Sequence, residues 1–195
     1  MIDERFVFIA GALNIVGDFA YLIDTIKGKI KPNKVTWFLW SLAPLIAFFA
    51  QISQGVGLFS LMTFSLGIIP IFIFVASFIN KNANWKITKF DLFCGTLSVL
   101  GLVLWYLTRV GNIAIFFSIL TEIFAAVPTV IKAYNMPETE NYKPFLLGVV
   151  ASLLTLLTIK QWDFAHIAFN LYIFSICFLL FILIRFKLGK YLTKG

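Results

Sequence analysis

Long uncharged stretches recur from one end of this chain to the other, and they constrain its fold more than any other feature. A helix that crosses a bilayer needs about 20 mostly apolar residues. Runs of that kind lie at 6–23, 36–53, 57–79, 90–108, 111–131, 145–160 and 164–184. With 61% of the 195 residues apolar and 13% charged, one soluble core could not hide the apolar surface and keep a polar exterior. The sequence therefore predicts an all-α integral membrane protein with seven transmembrane helices and no room for a soluble catalytic domain. The start Met1-Ile2-Asp3-Glu4-Arg5 is not the basic opening of a signal peptide, so the first run is expected to remain as a span.

Basic residues set the expected orientation, because cytoplasmic loops are enriched in Lys and Arg. Seven spans put the N-terminus and loops 2–3, 4–5 and 6–7 on one side, carrying Arg5, Arg109 and Lys160. The other side carries Lys27, Lys29, Lys31 and Lys34; Lys81, Lys86 and Lys89; Lys132 and Lys143; and Arg185, Lys187, Lys190 and Lys194. All 16 basic residues are then assigned, and the ratio predicts an N-terminus outside and a C-terminus inside. Read this way, the net charge of +7 anchors the protein to anionic lipid and does not point to nucleic acid. The inner membrane of the cell is the expected location.

The chain also resembles itself. Sliding it until Tyr21 falls on Pro128 lays the first three spans on the last three without a gap, with Gln54 on Gln161 and Thr63 on Asn170. Identity is near chance, but hydropathy and loop lengths agree: in each half a long polar first loop precedes a very short second one. Both halves enter the membrane in the same direction because the fourth span intervenes. The expected organisation is a 3+1+3 parallel repeat: a three-helix unit over 1–80, a linker helix over 81–110 and a second unit over 111–195 with a basic tail.

In the second half, Val127-Pro128-Thr129-Val130-Ile131-Lys132 is followed by Pro137-Glu138-Thr139-Glu140-Asn141. This pattern resembles the PQ-loop superfamily, which includes the SWEET sugar transporters, parallel repeats themselves. Thr129 stands where Gln is usual, and Tyr21-Leu22 replaces Pro-Gln in the first half. The stretch Lys31-Pro32-Asn33-Lys34-Val35-Thr36-Trp37 is similar to one in uncharacterised bacterial members. The resemblance implies a transporter of a small polar solute, sugar-like or similar, working by alternating access. It also implies pivot prolines, of which Pro44 and Pro128 are present as hinge candidates, and a substrate-contacting Asn, matched by Asn170 with Thr63 at the equivalent place.

Ionisable groups inside a span cost roughly 2.5–3.5 kcal/mol on insertion scales and so usually face an interior cavity. Asp18 and Glu122 are the deep carboxylates, and either could couple solute movement to protons. Asn14 lies four residues before Asp18, on the same helical stripe. Trp40 and Trp37 sit where an aromatic belt is expected and read first as belt anchors, with stacking on a solute as the alternative. The substrate-binding candidates are thus Asn170, Thr63, Asn14 and Trp40, with Asp18 and Glu122 for proton coupling. The alternative for each carboxylate is a packing role.

His166, near the outer end of its span, reads as an interfacial anchor. It has no acidic or Cys cluster that would make a metal site. Cys94 and Cys177 have no ligand spacing either. No cofactor is expected, and no nucleophile–base pair suggests an enzyme. The competing function is a non-transporting receptor, sorting or assembly module on the same fold. Within transport, a vitamin or nucleoside facilitator rivals sugar. With both halves in one chain, a functional monomer or a homo-oligomer is compatible with the sequence.

Overall fold

The computed structural model describes residues 2–79, 81–83, 85–108 and 111–192. They form α1 (Phe6–Ile26), α2 (Lys34–Ser53), α3 (Ser60–Ile79), α4 (Lys89–Thr108), α5 (Gly111–Asn135), α6 (Lys143–Thr158), α7 (Phe164–Phe186) and a short α8 (Leu188–Leu192). Among the described residues, five segments are long and apolar enough to cross a membrane: α1, α2, Gly57–Ile79, α5 and α7. The helices α4 and α6 stand where spans were expected, but they fall outside this group. α6 has only 16 residues, and α4 has 20 with its two charges, Lys89 and Asp91, confined to the first turn. The protein is a multi-pass membrane protein.

Local chemistry explains the boundaries. Asn33 caps α2, its side-chain oxygen accepting from the N–H groups of Val35 at 3.0 Å and Thr36 at 3.3 Å. Asp163 caps α7 by accepting from the His166 N–H at 3.0 Å. Thr88 and Asp91 cap the start of α4 reciprocally, the Thr88 N–H donating to Asp91 at 2.7 Å and the Asp91 N–H donating to Thr88 Oγ1 at 3.2 Å. The tight turn after α2 uses Gly55 and Gly57 at φ +75° and +63°, a region that side chains disfavour.

α3 packs against both α1 and α2, and α7 packs against both α5 and α6. Across the molecule α1 meets α6 and α2 meets α5. α4 lies mainly on α5, where Ser98 and Thr121 each donate a hydroxyl to the other's carbonyl at 3.0 Å. Small residues permit the close approaches. A Cβ on Gly17 would sit 3.0 Å from Pro144 Cα, and one on Gly148 would sit 2.7 Å from Cys177 Sγ.

The outside is apolar: Phe49, Phe72, Phe78 and Leu107 are all more than half exposed. Polar side chains point inward and bond to their own helices, as with Ser65 to Met62 O at 2.7 Å and Thr155 to Ala151 O at 3.0 Å. That inversion suits lipid, where every polar group must find an internal partner.

Two ends can be told apart. At one, the loop after α1 meets the loop after α5, where the Lys31 N–H donates to Thr139 O at 3.2 Å. Asn33 donates to Asp91 at 3.0 Å there, and Lys190 of α8 pairs with Glu138 at 2.8 Å. This is the basic end. At the far end the Ile2 N–H donates to Leu157 O at 3.1 Å, and Lys160 lies 3.6 Å from Glu4.

Candidate functional site

A cavity of about 60 Å³ lies among the helices, toward the basic end. α1 contributes Asn14 and Asp18, α2 contributes Trp37, Trp40 and Pro44, and α5 contributes Glu122. The remaining wall comes from α3, α6 and α7 and is apolar apart from the Cys177 thiol. No Lys, Arg or His among the described residues lines it.

Five residues anticipated from the sequence meet here: Asn14, Asp18, Trp40, Pro44 and Glu122. Asn14 is 3% exposed and is oriented by α3, its amide donating to Met62 Sδ at 2.8 Å and Ser65 Oγ at 3.5 Å. Glu122 is 2% exposed, and its Oε1 has no hydrogen-bond partner among the described residues. Asp18 is half-buried and is likewise without a protein partner there. Trp37 and Trp40 meet edge to face at 5.2 Å, and Trp40 approaches Phe145 at 6.3 Å. Trp37 is buried against the cavity and Tyr21, away from any lipid-facing belt.

Three anticipated residues lie elsewhere. Thr63 and Asn170 are fully buried, but one helical turn beyond the cavity: the lining positions are Leu66 and Pro70 on α3, and Ile173 and Cys177 on α7. They share the cavity's stripe and miss its depth. Asn170 donates to its own helix at His166 O, 3.3 Å away, while its Oδ1 and Thr63 Oγ1 have no partner among the described residues. Pro128 is in the body of α5 and does not line the cavity. Near it, Thr36 donates to Ala125 O at 2.8 Å and Thr129 donates to Thr36 at 3.0 Å, so α2 supplies polar partners at the proline.

Sequence reasoning missed a buried ionic cluster that closes the basic end. Lys132, taken as an interfacial anchor, is 2% exposed and its ammonium donates to Glu140 Oε1 at 2.6 Å and to the Lys31 carbonyl. The Tyr21 hydroxyl donates to the other carboxylate oxygen of Glu140 at 2.7 Å. The Trp85 ring lies 4.8 Å from the Lys132 ammonium, and the Tyr21 ring lies 4.5 Å from Trp37. The cluster therefore joins the end of α1 to the end of α5 directly beside the cavity wall. Its one sequence signal was acid within the basic set of loops, where Glu138 and Glu140 join Asp24. Glu138 itself is exposed, and its hydrogen bond with Lys190 holds its carboxyl below the usual range.

At the far end the closure is apolar. Val7, Ala10, Ala47, Ala50, Ile115, Ala151 and Phe169 belong to one buried cluster. Gln51 reaches across to Ala165 O at 3.5 Å. His166 Nδ1 lies 2.7 Å from Asp163, whose carboxyl is held below the usual range by the His166 side chain and backbone N–H, so this histidine serves the helix cap. No family model, curated protein or solved structure matches this chain.

Proposed function

We propose that this protein is a transporter of a small polar solute that works by alternating access around the central cavity. In this reading it crosses the membrane seven times, as two three-helix units joined by α4. The basic end faces the cytoplasm, following the bias of Lys and Arg. The observation that carries the proposal is the cavity itself: two carboxylates without protein partners among the described residues face one space between packed helices.

The packing order supports the repeat. Exchanging α1, α2 and α3 for α5, α6 and α7 turns each principal contact into another: α1–α3 into α5–α7, α2–α3 into α6–α7, and α1–α6 into α5–α2. In the register that lays Tyr21 on Pro128, Leu66 falls on Ile173, Pro70 on Cys177 and Trp37 on Pro144, and all six line the cavity. At about 60 Å³ the cavity is well below the roughly 300–1,000 Å³ of a ligand pocket, so holding a solute requires it to widen. Opening either end would enlarge it, and Pro44 and Pro128 leave helix carbonyls free for such bending. Asp18 or Glu122 would carry the proton in a coupled cycle.

Uptake into proteoliposomes from a panel of sugars, amino acids and nucleosides, with and without a pH gradient, tests this. The expected result is protein-dependent entry of at least one class. Entry no faster than into protein-free vesicles across the panel would instead favour a receptor or assembly module. Proton coupling requires that Asp18→Asn or Glu122→Gln abolish the effect of the gradient. Unchanged coupling in both variants ends that part of the proposal.

A further inference from the structure

The lining of the cavity carries information about its cargo that the fold alone does not. We propose that the solute is a small organic cation bearing an ammonium group, bound between Asp18 and Glu122 and against the Trp37–Trp40 wall. This rests on the transporter reading above and names the solute class for the same cavity.

Charge is the first argument. Two carboxylates line one cavity, and no cationic side chain lines it among the described residues. Glu122 is 2% exposed with Oε1 unpartnered, so its buried acceptor points to a missing donor. Elsewhere in the molecule a buried carboxylate does receive its donors, as Glu140 does from Lys132 and Tyr21. A solute with a positive charge would provide the missing partner, whereas an anion would meet two like charges.

The second argument is the wall. A sugar has hydroxyl groups around its whole ring, and each needs a polar partner when buried. Beyond Asn14, the two carboxylates, the indole N–H groups and one thiol, this cavity offers aliphatic and aromatic surface. An inorganic cation such as calcium takes 6–8 oxygen ligands, more than the side-chain oxygens of Asn14, Asp18 and Glu122 supply. An organic ammonium suits the site better, because its charge is met by carboxylates and its carbon substituents by ring faces.

The third argument is internal. This chain already holds one buried ammonium, that of Lys132, with the same chemistry. A carboxylate lies 2.6 Å away and an indole ring lies 4.8 Å away. The cavity presents carboxylates and indoles without the ammonium.

The test measures binding and transport separately on the purified full chain. Thermal melting and intrinsic tryptophan fluorescence are followed during titration with tetramethylammonium, ethanolammonium, glucose and, at matched ionic strength, sodium chloride. Saturable stabilisation and a fluorescence change are expected with the two ammonium compounds and not with glucose or sodium. Asp18→Asn and Glu122→Gln are each expected to weaken binding at least about tenfold. Trp40→Leu should weaken it more than Trp40→Phe, because Phe keeps a ring face.

The titration of the unaltered protein decides the matter even if a variant does not fold. An equal response to glucose or sodium, or no response to either ammonium compound, overturns the inference. So does undiminished tetramethylammonium binding in both carboxylate variants. Ammonium binding without uptake into proteoliposomes upholds the cation site and sinks the transporter reading. Glucose uptake without ammonium binding does the reverse.

Discussion

The two ends of this bundle are closed by opposite chemistries. At the basic end, Tyr21, Lys132 and Glu140 form a buried ionic cluster bridging elements 119 positions apart in the chain. At the far end, small apolar residues such as Ala10, Ala47, Ala151 and Ala165 let helices approach closely around Ile115 and Phe169. The ionic closure depends on staying dry. Water can replace each of its hydrogen bonds, and its net contribution is the small difference between attraction and desolvation. The apolar closure has no partner to exchange and is lost only by separating surfaces. The two ends therefore differ in how they respond to water: the ionic contacts can be rehydrated bond by bond, and the apolar packing cannot.

Substitutions can break or sharpen that contrast. The largest effect is expected from Glu140→Leu, which leaves the buried Lys132 ammonium uncompensated and should cost about 3–5 kcal/mol in a detergent unfolding titration. Combining it with Lys132→Met should restore most of the loss, because an apolar pair of similar volume removes both desolvated charges. A double variant no more stable than Glu140→Leu would refute the ionic account of this end. Ile115→Ala at the far end should cost about 2–5 kcal/mol, and no second substitution at the basic end should restore it.

Tyr21→Phe removes one charge-assisted hydrogen bond while keeping the ring against Trp37. A loss of about 1.5–3 kcal/mol is expected, read from the same unfolding curve. Equal stability of Tyr21→Phe and the parent would separate Tyr21 from the ionic cluster.

The smallest effect belongs to Glu138, whose pair with Lys190 is half-exposed, and Glu138→Gln should cost about 0.2–1 kcal/mol. Its carboxyl is held below its ordinary value in the folded protein by the Lys190 hydrogen bond. The stabilisation is thus fully present above the unfolded value of about 4.3 and is lost as pH falls through the folded one. Melting of parent and variant should converge in that acidic window and differ above it. A gap that widens on acidification would reverse the sign.

Much of the architecture was legible before the structure. Apolar runs marked the helices to within a few residues, although α5 continues to Asn135 and α6 occupies Lys143–Thr158. Stripe arguments placed Asn14, Asp18 and Glu122 on inward faces, and all three line the cavity. The family resemblance pointed to Thr63 and Asn170, which share the cavity's stripe but lie one turn too far from it. Helical periodicity fixes direction around an axis, and it holds no information about how deep a void will fall along it. Lys132 was misread for a related reason. A lysine near a helix end normally reaches the interface, and only its neighbours decide whether it is buried.

Hydropathy and charge bias are local sums, so the chain alone determined that it forms membrane-crossing helices and which loops carry its positive charge. Tertiary structure decided what those loops do with it. One lysine of the basic set, Lys132, turned inward to meet a glutamate from the following loop and a tyrosine from α1, while Asp18 and Glu122 came to line one cavity with no basic side chain among its described lining residues. Pairing of that kind depends on helix packing across distant segments, where partners are chosen by geometry and exclusion of water.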